Sequence, residues 1–197
     1  MRSAMRKILL FLCAIAISLA FSVAASAGTV TYLFTTTGSG TIGADSFTDA
    51  LATVTAVGDT SSIFIWQPGI YVVVPTQFSI NIAGVGTASF TGAGVFGGSG
   101  YVFDNQGSSA AGFGTSSDRD DISDLAFASY ALATALGPIS GSYMHFSGDP
   151  TSLGLLDFTP TAFGTFTAVT TPEPGSLLLH ASGALGAVGL LRRKFAL

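Results

Sequence analysis

Four carboxylates crowd into one short stretch of this chain, Ser117-Asp118-Arg119-Asp120-Asp121-Ile122-Ser123-Asp124. Calcium takes about six to eight oxygen ligands, and an acidic loop is a ready source of them. An EF-hand-type loop counted from Asp118 needs a ligand at its fifth position, Gly at its sixth and Glu at its twelfth. Those positions hold Ile122, Ser123 and Ser129. The pattern fails. The spacing favours a solvated turn, or a helix N-terminus where negative charge is stabilised, with Arg119 neutralising part of the cluster.

The other chemically capable residues are scattered. His145 is the one histidine between the two ends of the chain. Zinc normally needs several ligands, and a catalytic triad needs a serine with an oriented base. No serine here stands in G-x-S-x-G, so His145 reads as an outward neighbour of Tyr143. Gly92-Ala93-Gly94-Val95-Phe96-Gly97 spells G-x-G-x-x-G. A dinucleotide site requires a helix directly after that motif. Gly98-Ser99-Gly100 and a strand-like Tyr101-Val102-Phe103 follow instead, which makes the motif a turn. A glycosidase pair would have to be two Asp, and the ten Asp leave that alternative open. Trp66 and Tyr71 flank a turn and would stack on sugar if exposed, although rings in apolar strands are more often core. No catalytic, cofactor-binding or metal-binding residue is assigned, and a non-enzymatic protein is expected.

The elements that would carry these residues lie in one body, residues 28–169, long enough to bury a core. Its charge is one-sided. Arg119 stands against ten Asp, with no Glu and no Lys, for a net −9. Such a surface repels phosphate backbones, so nucleic acid is excluded as a partner. Apolar residues alternate with polar ones at Val30/Tyr32/Phe34, Phe78/Ile80/Ile82, Ala88/Phe90, Met144/Phe146 and Phe166/Ala168. That is the period of half-buried strands. Gln67-Pro68-Gly69 predicts a hairpin turn joining Ser62–Trp66 to Ile70–Val74. Both strands are apolar on both faces, which predicts a central position in the sheet. Ile122, Leu125, Ser129, Leu132 and Leu136 fall near helical spacing and predict a helix over 121–136, although Leu125-Phe127 and Tyr130-Leu132 also fit strands. The fold class expected is all-β, a single antiparallel β-sandwich or jelly-roll-like domain.

Both ends read as addresses. Arg2, Arg6 and Lys7 precede an apolar run from Ile8 to about Val23, and Ala25-Ser26-Ala27 fits a small-x-small cleavage pattern. This is a secretory signal over 1–27, with signal peptidase acting after Ala27. Cys13, the one cysteine, lies inside it, so the mature chain is expected to hold no disulfide. At the other end, Ser176 to Leu191 is uncharged. As a helix those residues reach roughly 24 Å, slightly less than a hydrocarbon core of about 30 Å. Gly183, Gly186 and Gly189 disfavour a helix in water and are tolerated better in a membrane. Arg192, Arg193 and Lys194 hold that end in the cytoplasm. A C-terminal transmembrane helix over 176–197 is therefore expected, with the body exported between two positively charged ends.

Pro172-Glu173-Pro174, a small-residue spacer, the apolar run and the terminal basic cluster resemble the PEP-CTERM sorting signal of bacterial surface proteins. The resemblance covers the tail from Thr171 to Leu197 and implies an exosortase as partner. It also implies a role at the cell surface or in an extracellular matrix, in company with polysaccharide. The two prolines hold Thr171 and Glu173 out of helical conformation, within a linker expected over 170–175.

Overall fold

The computed structural model describes residues 28–116, 118–141 and 144–171. Its strands are β1 (Thr29–Ile42), β2 (Asp45–Asp59), β3 (Phe64–Gln67), β4 (Ile70–Val73), β5 (Gln77–Ile82), β6 (Gly86–Ser89), β7 (Tyr101–Asn105), β8 (Ala110–Gly114), β9 (Arg119–Ser123), β10 (Leu136–Ser140), β11 (Phe146–Thr151), β12 (Gly154–Pro160) and β13 (Thr165–Thr171). The alternating residues fall as the pleat requires. Val30, Tyr32, Phe34, Phe78, Ile80, Ile82, Ala88, Phe90, Met144, Phe146, Phe166 and Ala168 are all buried.

The strands form two antiparallel sheets. The eight-stranded sheet runs β10-β13-β1-β2-β5-β6, with β12 joining β1 and β11 joining β12. The five-stranded sheet runs β3-β4-β7-β8-β9. β1 is the spine of the larger sheet. Its first half pairs with β13 and its second half with β12, while β2 follows its whole length through a bulge at Gly38/Gly40. Both sheets contribute to one hydrophobic core. Phe113 of β8 is the seam, with ring centroids 6.5 Å from Phe34, 6.0 Å from Phe78 and 5.9 Å from Phe166. Glycines make room for these rings. A Cβ on Gly164 would lie 1.9 Å from the Phe34 ring, and one on Gly100 would lie 2.2 Å from Phe78.

The structure corrects several expectations. Two sheets of unequal size replace the single sandwich or jelly roll, and the expected signal and transmembrane helices lie outside the described residues. Among those residues, no helix is long and apolar enough to cross a membrane. The Pro68-Gly69 hairpin forms, with Gly69 at φ +77°, but β3 is an edge strand and all four of its residues are exposed. Phe64 and Trp66 meet the Phe96 ring outside the core, and Ile65 stays 62 % exposed. The 121–136 segment is not an α-helix. Ile122 points inward from β9, and the Asp124 carboxylate caps Ala126 N–H at 2.8 Å, opening a short 3₁₀ turn over Leu125–Ser129. Tyr130 and Leu132 then enter the core, and burying them ends the turn. β13 continues through Thr170 and Thr171, which pair with Val30 and Thr29, so these two residues belong to the sheet rather than to a linker.

Phe113→Ala removes the seam between the sheets. We expect a loss of about 3–5 kcal/mol, read as a lower urea midpoint for the full chain with an unchanged denaturant slope.

Candidate functional site

The sorting and processing residues Ala27, Pro172, Glu173, Pro174, Arg192, Arg193 and Lys194 all lie outside the described residues. Their neighbours are held firmly. Gly28 N donates to Thr60 Oγ1 at 2.9 Å, and Thr60 N donates back to the Gly28 carbonyl at 3.0 Å. Thr29 is the register partner of Thr171. The chain therefore enters and leaves the body from one end of the β1–β13 pair.

The acidic cluster is taken apart by the fold. Asp118 Oδ2 accepts from Ser147 N at 2.7 Å, and Asp120 Oδ2 accepts from His145 N at 2.9 Å. These bonds tie β9 and the loop before it to the β11 end of the other sheet. Asp121 faces Arg119 at 3.8 Å, an exposed and weak pair, and Asp124 caps its 3₁₀ turn. No group of three or more His, Cys, Asp or Glu among the described residues could hold a metal. His145 is exposed, as expected of an outward residue. Gly94 and Gly97 close a turn through Gly97 N to the Gly94 carbonyl, with Gly97 at φ +90°, and β7 follows it rather than a helix. The dinucleotide motif is a turn.

Two carboxylates that sequence reasoning left unremarked are fully buried. Asp104 and Asp149 are each 0 % exposed, and no oxygen of either closes a hydrogen bond of good geometry. Asp104 stands in an inward row of the five-stranded sheet, opposite Tyr71 on one side and Ala111 on the other. Burial alone pushes its pKa up to about 7. Burial also raises Asp149, and the nearby Asp118 carboxyl raises it further. The Thr115 hydroxyl and Ser147 N–H pull the other way. A carboxylate without exposed surface cannot reach a substrate, so neither is placed to act as a general acid in this conformation.

What the fold does assemble is an aromatic face on the outside of the five-stranded sheet. Phe96, from the loop before β7, is its hub. Its ring lies 5.5 Å from Phe64, 5.6 Å from Trp66 and 5.0 Å from Tyr101, at interplanar angles of 74°, 77° and 90°. Tyr101 meets Phe103 at 6.1 Å, and the Arg119 guanidinium sits 4.2 Å above the Phe103 ring. Phe103 and Tyr101 lie opposite Gly112 and Gly114 of β8. A Cβ on Gly114 would come within 2.2 Å of the Tyr101 ring, so the glycine lets that ring lie flat across its neighbour strand. Trp66 is 49 % exposed and Phe64 37 %. Tyr71 is not part of this face, because it packs against the core. The expected Trp66–Tyr71 platform is thus replaced by Trp66, Phe64, Phe96 and Tyr101. Two signals for it stood in the sequence, the period-two pairs Phe64/Trp66 and Tyr101/Phe103 and the alternating glycines of β8.

No family model matches this chain, and neither the curated proteins nor the solved structures contain a match.

Asp104 makes stability depend on pH. Its folded pKa lies above the ordinary value of 3.8, so the folded state holds the proton more tightly than the unfolded one. The stability it contributes is full below pH 3.8 and is lost as pH rises toward about 7. Asp104→Asn is expected to leave the melting temperature unchanged near pH 4. At pH 8 it should raise it by about 5 °C, taking ~1–3 kcal/mol for an uncompensated buried polar group. Scanning calorimetry across that range reads both. Calcium at about 1 mM, the weak end for extracellular modules, should leave the wild-type melting temperature where it is.

Proposed function

We propose that this chain is an exported bacterial surface or extracellular-matrix protein with a structural, non-enzymatic role. Its two-sheet β body is delivered by the signal that ends at Ala27. It is then sorted through Pro172-Glu173-Pro174, with an exosortase as the processing partner that the tail's resemblance implies. The apolar run anchors the tail in the membrane, and Arg192, Arg193 and Lys194 set its orientation. The observation that carries the reading is the division of the chain. Six of the seven basic residues stand in the two end segments, while the body between them has a net charge of −9. The compact unit Gly28–Thr171 begins one residue after the expected signal cleavage and ends one residue before the Pro-Glu-Pro motif. Thr171 is in extended strand conformation, as the position before a proline prefers.

The mass of the C-terminal peptide of protein recovered from its native host tests this. We expect a terminus near Pro172–Gly175, carrying a mass added by transfer. An intact Leu197 terminus in the membrane fraction would remove sorting and leave a permanent anchor.

A further inference from the structure

Exposed contiguous apolar surface on a water-facing sheet marks a place where something binds. The outer aromatic face offers one: Trp66 is 49 % exposed and Phe64 37 %, and the half-buried rings of Phe96 and Tyr101 support them from behind. We infer that Phe64, Trp66, Phe96 and Tyr101, flanked by Arg119 and Asp121, bind a neutral polysaccharide by stacking sugar rings on the aromatic side chains. This rests on the reading of the chain as exported, since such a polymer meets the body only outside the cell.

Charge decides between occupants. The body carries −9, which repels anionic polymers, anionic lipid surfaces and a second copy of the same body. The face itself offers no net positive charge to overcome that repulsion. Arg119, the one basic residue of the body, is already engaged with Asp121 at 3.8 Å and with the Phe103 ring at 4.2 Å. A ligand suited to this surface is therefore uncharged. Geometry narrows it further. A peptide strand would pair along the open backbone edge of β3, whereas these rings stand on the face of the sheet. They meet at steep angles around Phe96 and make a stepped surface rather than a groove. A pyranose presents an apolar patch of C–H groups ringed by hydroxyls. The rings match the first, and the neighbouring guanidinium and carboxylate offer donors and acceptors to the second.

Trp66 is the single tryptophan of the chain, so its fluorescence reports on this face alone. The full-length protein in phosphatidylcholine nanodiscs would be titrated with a soluble β-glucan, a galactomannan and dextran, with alginate as the anionic comparator. We expect Trp66 to be open to acrylamide before polymer is added. At least one neutral polymer should then give a saturable blue shift that salt does not weaken. Phe96→Ala should raise the half-saturating concentration about tenfold with the melting temperature retained. Phe64→Ala, at an exposed edge position, serves as the second variant should Phe96→Ala fail to fold. The inference is overturned by emission that no neutral polymer shifts, by a response to alginate alone, or by variants that bind as wild type does. A Trp66 already shielded from acrylamide also overturns it, since the bilayer or a second copy would then cover the face. A processed C terminus with an unresponsive Trp66 would leave export standing and remove this inference alone.

Discussion

The packing of Phe113 against Phe34, Phe78 and Phe166 is the contact on which the rest of this body depends. It joins rings from both sheets. Nothing covalent shares the task, since Cys13 is the only cysteine and lies outside the described residues. The strand hydrogen bonds organise each sheet within itself, so holding the two sheets together falls chiefly to apolar burial. Large rings can meet there because glycines such as Gly100 and Gly164 leave their side-chain space to the rings. This gives a physical reason for part of the high glycine content beyond turns.

The second organising feature is the use of aspartate as an acceptor. Asp118, Asp120, Asp124, Asp157 and Asp59 each take a backbone N–H. Charged acceptors make stronger hydrogen bonds than neutral ones, and these fasten loops and strand ends that the ladders leave open. An acidic composition that invites a metal-binding interpretation thus serves the backbone. Asp104 and Asp149 break the rule. They are buried without a well-formed partner, and burial raises the pKa of both, so part of the body's pH sensitivity lies in its interior.

The two faces of the five-stranded sheet divide structure from candidate function. Inward residues such as Val73, Val102, Phe113 and Ile122 join the core. The outward ones build the aromatic face around Phe96. That face depends on a loop residue reaching back over the edge strand, so its integrity depends on the turn at Gly94–Gly97 as much as on β3 and β7.

Much of the strand content was legible in the residues themselves. Alternation at Val30/Tyr32/Phe34 and Phe78/Ile80/Ile82 identified the buried faces, and Pro68-Gly69 identified a hairpin, because pleat and turn geometry are local. The charge segregation between ends and body is likewise a property of the chain alone. The edge position of β3, the opening of 121–136 into a strand and a 3₁₀ turn, the burial of Asp104 and the gathering of Phe64, Trp66, Phe96 and Tyr101 were decided by tertiary structure. Each depends on which distant strand lies alongside. That pairing is set by the summed burial of the whole sheet, a quantity no local window of residues contains.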